Sequence, residues 1–376
     1  MNKTKKLITQ INSYNSELFN CEGLLNGRAG LVYYYYCLYK HYGTVDYLDK
    51  IAINLELIFK NIENQNSSLL LNSTLESGLS GLGYILYLLM KENILDIDYD
   101  EQIKDINDLV YEDALKFIEN KNYDFVRGPF GILYYLNFVG CENHVDDLVG
   151  KFYEEFLNNT EFMFYNNTTY LEGIHIGYAH GLCAIVKVFN EIDDPRCDFM
   201  VTNLLDKIVE IVNDNDVIIE GQNYYLPRSI HKDESQKREL NYRAVLAWSN
   251  SDVNFSTLIY SLKKKYITNE LLELADKIAL GSIGKIKEEH TRVWDHRFYF
   301  GSSGVLQMYN YMYQKTNNKK FHEASTYWYN KTLAFLNENT IKEHPLDFVN
   351  NLPATSLALL EFEESKSIGW SKLLLL

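Results

Sequence analysis

Gly173-Ile174-His175-Ile176-Gly177-Tyr178-Ala179-His180-Gly181-Leu182-Cys183-Ala184-Ile185-Val186 sets a histidine among small residues immediately ahead of an apolar run. That is how a polar group is placed at the mouth of a buried helix. The junction recurs without its histidine at Gly27-Arg28-Ala29-Gly30, Gly78-Leu79-Ser80-Gly81 and Gly128-Pro129-Phe130-Gly131. Weaker or stronger matches follow at Ser251-Asp252-Val253-Asn254, Gly301-Ser302-Ser303-Gly304 and Asn351-Leu352-Pro353-Ala354. With Gly181 as the fourth start, the separations are 51, 50, 53, 70, 50 and 50 residues. A fixed period of this size marks one supersecondary unit stacked on the next. His180 is the odd member of the series.

The period runs from Gly27 to Ala354, so the 376 residues are expected to form a single domain, residues 1–376, although length alone would suggest two or three. A hydrophobic content of 46% supplies ample core, and 30 Tyr with 19 Phe suggest thick packing whose hydroxyls need partners. A net charge of −15 excludes a nucleic-acid partner, because phosphate binding needs a basic face. The acidic surface serves solubility, or a basic peptide. The start Met1-Asn2-Lys3-Thr4-Lys5-Lys6 is basic like a signal peptide, but the following apolar run breaks after Leu7-Ile8. Apolar runs such as Leu31 to Tyr39 are about half the ~20 residues a transmembrane helix needs. A cytoplasmic protein is expected. The five cysteines, Cys21, Cys37, Cys141, Cys183 and Cys197, are scattered with no CxxC and fit buried thiols in a reducing compartment.

Each unit has room for two helices. Gly30 to Tyr39 is apolar nearly all round, as is Leu82 to Met90, which suits a helix covered on every side. Asp46 to Ile62 and Tyr99 to Ile118 are amphipathic, with one wet face. Strands are needed nowhere except at Val217-Ile218-Ile219 and Tyr224-Tyr225-Leu226. Helices apolar all round must be enclosed by those with a wet face, and seven such hairpins can close into a ring, an all-α, α,α-toroid. A linear solenoid would need polar end caps, whereas this sequence finishes on Trp370 and Leu373-Leu374-Leu375-Leu376.

In a ring the Gly-rich starts gather at one end of the axis. The residues on and just before them are Tyr123-Asp124, His180, Trp248-Ser249-Asn250 and Tyr299-Phe300. Only Asp124 and His180 among them are charged or titrate near neutral pH, and one can orient the other. The plainer alternative for His180 is a core histidine bonded to a carbonyl.

With its seven turns, Tyr123-Asp124-Phe125-Val126-Arg127-Gly128 and Ala179-His180-Gly181, the chain resembles the lanthionine synthetase C-like cyclases of lanthipeptide biosynthesis over essentially its whole length. The resemblance implies an α,α-toroid that binds a dehydrated precursor peptide and adds a Cys thiol to dehydroalanine or dehydrobutyrine. It also implies proton transfer by Asp124 and His180, and association with a dehydratase. The family's zinc ligands, a Cys in a Trp-Cys-x-Gly turn and a later Cys-His pair, are replaced by Ser249, Tyr299 and Phe300. Ser249 is a poor zinc ligand, Tyr299 an unusual one, and Phe300 cannot ligate. No cofactor or metal is therefore expected. Tyr299 is either a hydrogen-bond donor at the vacated position or a packed aromatic on the axis. Val245 stands where many members carry an arginine, and Arg243 is the candidate to reach in.

Other clusters are weaker. His290 and His296 lie six apart around Asp295, which is not a helix-face ligand spacing, and His175 reads as a loop residue. Asp146-Asp147 and Asp193-Asp194 lack the third acid of a diphosphate motif. The 70-residue interval implies an insertion at residues 220–242, a solvated excursion over the active end, serving as lid, peptide clamp or plain flexible loop. Three function classes follow: a zinc-free thioether cyclase, a catalytically inactive scaffold for the precursor or a dehydratase, and a glycan-processing toroid. The last would want paired carboxylates at one mouth.

Overall fold

The structure, a computed structural model, describes residues 3–14, 21–94, 99–161, 163–168, 171–213, 217–336 and 346–376. It opens with α1 (Lys3–Ser13). Three units follow, each an inner helix and then an outer one: α2 (Arg28–Tyr42) with α3 (Asp46–Glu63), α4 (Leu79–Lys91) with α5 (Asp100–Glu119), and α6 (Pro129–Val139) with α7 (Glu142–Asn158). Strand β1 (Ile174–His175) precedes the fourth unit, α8 (Leu182–Glu191) with α9 (Pro195–Asn213). Strands β2 (Val217–Ile219), β3 (Gln222–Tyr224), β4 (Ser229–Lys232) and β5 (Arg238–Asn241) come next. The rest is α10 (Val253–Ile259) with α11 (Asn269–Ser282), the single turn α12 (Glu288–Thr291), α13 (Ser302–Thr316) with α14 (Lys319–Phe335), and α15 (Leu352–Glu364).

Every inner helix starts directly behind one of the repeated turns. In α2 ten residues are buried, from Arg28 round to Leu38, whereas α3 buries only the stripe Tyr47, Ile51, Asn54, Leu55 and Ile58. The 3.6-residue period of α3 therefore becomes a dry face and a wet face, while α2 has no wet side. Inner helices pack in sequence, α2 on α4, then α6, α8, α10, α13 and α15, and α15 returns to α2. The ring is closed. The seventh outer helix comes from the start of the chain: α1 lies against α15, with Leu7, Ile8 and Ile11 buried and Thr4 Oγ1 donating to Glu363 Oε1 at 2.6 Å.

Backbone hydrogen bonds stitch the turns together with the same periodicity. Leu25 N–H donates to the Glu76 carbonyl (2.9 Å), Glu76 to Val126 (3.0 Å), Val126 to Ala179 (3.2 Å), and Ala179 to Ser249 (3.1 Å). Ser249 then donates to Tyr299 (3.2 Å), Tyr299 to Val349 (3.1 Å), and Val349 back to Leu25 (3.1 Å). Each repeat supplies one donor and one acceptor from equivalent positions, so a buried backbone that could not join a sheet or helix is satisfied by its neighbours. Residues 25, 76, 126, 179, 249, 299 and 349 thus face one another around one end of the axis.

Residues 370–376 fill the middle of the ring. Tyr33 of α2 donates to the Trp370 carbonyl (2.6 Å), Tyr134 of α6 to Lys372 (3.1 Å), and Trp248 Nε1 of the fifth turn to Leu374 (3.0 Å). Gln307 of α13 reaches Ser371 Oγ (3.1 Å).

Three sequence expectations need correction. Strands also form at 174–175, 229–232 and 238–241, and the expected strand at Tyr224-Tyr225-Leu226 keeps only Tyr224. The 220–242 stretch is not plain loop: eleven of its residues lie in β3, β4 and β5. Strand β4 pairs antiparallel with both β5 and β1, with Ile174 opposite Ile230, and Asp233 Oδ1 accepts from the Ser235 and Lys237 N–H groups at 2.8 and 2.7 Å to turn the hairpin. The short polar run that reads as loop is an Asx-type turn between two strands. Thirdly, all five cysteines are free, but only Cys37, Cys183 and Cys197 are buried; Cys21 is exposed.

Candidate functional site

The third and fourth turns meet at Asp124 and His180. Asp124 is wholly buried; its Oδ1 accepts from Arg127 N–H at 2.6 Å, which closes the loop ahead of α6, and its Oδ2 lies 2.6 Å from His180 Nδ1. The other imidazole nitrogen, Nε2, is 2.8 Å from the Tyr299 hydroxyl. Burial and the nearby negative charges of Asp124 and Glu76 push the Tyr299 phenol well above its ordinary range. Tyr299 therefore keeps its proton and is able to donate to Nε2, while Nδ1–H faces the carboxylate that accepts from it. In the neutral Nδ1–H tautomer of His180, both contacts are satisfied at once.

This chain of hydrogen bonds unites residues 124, 180 and 299. The His180 side chain is 17% exposed and lines a cavity of about 300 Å³. The cavity is walled by Leu171, His175, Arg228, Arg243, Val245, Ser249, Asn250, Arg292, Trp294, Arg297 and Phe300. Of the expected site residues, Arg243, Ser249 and Phe300 join it, and Asn250 does so while donating to the Arg228 carbonyl at 3.2 Å. Trp248 is buried against Phe298 and Tyr299. Tyr123 points elsewhere, to Glu155 at 2.8 Å. His175 is a strand residue on the cavity wall, not a loop residue. Burial, with His180 and Arg228 nearby, lowers its pKa to about 4, so it is neutral; its buried Nε2 has no hydrogen-bond partner among the described residues.

The zinc-ligand positions were tested by their donor chemistry. Phe300 offers no donor atom, Tyr299 is a protonated phenol against His180, and the buried Ser249 Oγ is a neutral hydroxyl without a partner among the described residues. These side chains do not make a zinc site. Among the described residues no His, Cys, Asp and Glu group is arranged to hold a metal. His296 is tied to Thr355 Oγ1 at 3.2 Å, and Asp146 and Asp194 are bound by Arg196 at 2.5 and 2.6 Å.

Sequence reasoning missed Arg228 at this site; the stretch from His290 to Arg297, which lies just before the sixth turn and could line the mouth, supplies Arg292, Trp294 and Arg297. Arg228 sits just before β4 and Arg243 just after β5, so the hairpin carries both to the cavity once β4 pairs with β1 beside the His180 turn. Nothing in the local sequence announces that pairing. A second pattern was readable: Asn72, Asn122 and Asp295, each six residues before a turn glycine, accept the N–H of the residue two further on at 3.1, 3.1 and 2.9 Å.

A closed double ring of helices with an imidazole held between a buried carboxylate and a phenol at one mouth defines the class: an α,α-barrel whose polar cluster sits on the turns between helices. The model of the family described as "Lanthionine synthetase C-like protein" matches residues 20–353, and the chain belongs to that family. Among solved structures it is similar to one titled "Nisin cyclase", at 18% identity over 99% of this chain and 96% of that one, with a TM-score of 0.73, a likeness of fold. No curated protein matches the chain. No helix among the described residues is long and apolar enough to cross a membrane.

Proposed function

We propose that the protein forms thioether rings in a dehydrated precursor peptide, without zinc. The sulfur of a peptide Cys bonds to Cβ of dehydroalanine or dehydrobutyrine, the carbon–carbon double bond becomes single, and the thiol proton ends on Cα. The observation that carries the reading is the Asp124–His180–Tyr299 chain at the cavity of a family ring. His180 Nε2 is the base toward the thiol, and as imidazolium the acid toward the amide enolate. Asp124 holds the tautomer and stabilises the imidazolium, and the Tyr299 hydroxyl, both donor and acceptor, passes the proton. An unassisted thiol of pKa about 8.5 is only a few per cent thiolate at neutral pH, so dispensing with a metal costs about thirtyfold in nucleophile, against an electrophile that is already reactive. Arg228 and Arg243, which flank the hairpin of β4 and β5, stand on the wall along which the peptide lies.

The replaced ligands Ser249 and Phe300 favour a second reading, an inactive scaffold that binds the precursor or a dehydratase. One experiment separates the two. A synthetic peptide with one Cys and one dehydroalanine is incubated with the protein, and alkylatable thiols are counted, because ring closure leaves the mass unchanged. The cyclase loses thiol at a rate that His180→Ala lowers about 10²- to 10⁴-fold. Thiol loss that is indifferent to His180→Ala removes His180 from the mechanism; peptide binding with no thiol loss establishes the scaffold.

A further inference from the structure

In a chain of net charge −15, the cavity beside His180 is lined by four arginines and, among the described residues, by no acid. Arg297 is neutralised by Asp295, at 2.8 and 2.6 Å. Arg228, Arg243 and Arg292 have no hydrogen-bond or ion-pair partner for their guanidinium groups among the described residues. They oppose one another: burial and the charges of Arg243 and Arg292 push the half-buried Arg228 below its usual range. Backbone is also spent on the arrangement. Arg292 sits at φ 54° in the left-handed region, uncommon for a side chain of this kind, and is held there by its N–H donating to the Glu288 carbonyl at 2.7 Å. Like charges gathered on one cavity without counter-ions cost free energy that a bound anion returns, and guanidinium forks match planar and tetrahedral oxyanions. Beside them Trp294 and Phe300 are 56% and 48% exposed, an apolar shelf on the same cavity.

We propose that Arg228, Arg243 and Arg292 form a binding site for an oxyanion, a carboxylate or phosphoryl group carried by the ligand next to an apolar side chain that rests on Trp294 and Phe300. The oxyanion part stands by itself; that the ligand is a peptide, with its acidic group next to the reacting residue, rests on the cyclase reading.

The test is calorimetric titration of the full chain with inorganic phosphate and with succinate, against chloride at equal ionic strength. Saturable binding of either is expected, phosphate winning if the natural group is phosphoryl and succinate if it is carboxylate. The Arg243→Gln/Arg292→Gln double variant, changed at two exposed positions and therefore expected to keep its melting temperature, should bind at least about tenfold more weakly, the worth of one charge-assisted hydrogen bond. Arg228→Gln should do the same. No saturable binding above chloride in the unaltered protein, or affinity unchanged in both variants, overturns the site. Oxyanion binding with no thiol loss from any dehydrated peptide would retire the cyclase reading and keep the site; thiol loss with no oxyanion binding would do the reverse.

Discussion

At the scale of single residues the histidines divide by environment. His180 has a carboxylate on one nitrogen and a phenol on the other, while His175 and His296 are buried and neutral. Burial comes first in both cases and lowers each to about 4; around His175 stand His180, Arg228, His231 and Asp124, and around His296 Asp295 and Arg297. An unfolded histidine takes a proton near its ordinary 6.5, so between pH 6.5 and about 4 the unfolded chain holds more protons than the folded one. Stability is then full above 6.5 and falls as the pH drops through that window, by about 1.4 kcal/mol per pH unit for each histidine. Urea unfolding across this range should show the slope, and His296→Gln should lessen it by one proton. An unaltered slope in that variant would contradict the neutral, buried state of His296.

At the scale of elements, the turn glycines answer to crowding rather than to backbone angle. Gly181 is in extended backbone, φ −146°, open to any residue; what it lacks room for is a Cβ, which would meet the His175 carbonyl group. Gly131 shows how one turn locks onto the preceding repeat. A Cβ there would collide with the Phe125 carbonyl oxygen and stand 2.9 Å from Leu75 Cβ in the second unit. Gly131→Ala should therefore cost about 1–3 kcal/mol through overpacking, read as a lower melting temperature. A melting temperature equal to or above that of the unaltered protein would show that the turns tolerate displacement.

The whole molecule depends on closure. Two pieces distant in sequence complete it: α1, which lends the seventh unit its outer helix, and residues 370–376, which occupy the axis. Trp370, Leu373, Leu374, Leu375 and Leu376 are all at most 7% exposed, and fully burying such side chains contributes about 1.5–3 kcal/mol each. A chain truncated after Gly369 should lose several kcal/mol and its sharp thermal transition, measurable by circular dichroism. Cooperative unfolding at an unchanged temperature would mean the segment is an ornament. Charge is also a whole-molecule matter: an acidic surface suggests a basic partner, yet the one cavity that holds His180 is cationic.

Much of this was readable in one dimension. A period of 50 residues, helices apolar all round alternating with striped ones, and a His in a Gly-rich junction depend on local spacing, and local spacing dictates element type and points to turns gathered at one end, where Asp124 meets His180. The outer helix α1 was also readable, from Leu7, Ile8 and Ile11, although its basic start draws the eye to targeting instead. The arginine cluster was not. Arg228, Arg243 and Arg292 converge only because β4 finds β1, fifty-odd residues earlier, and because the turn after α12 takes a left-handed residue. Non-local strand pairing and packing around an axis are set by the shape of the assembled ring, and no stretch of sequence carries that information alone.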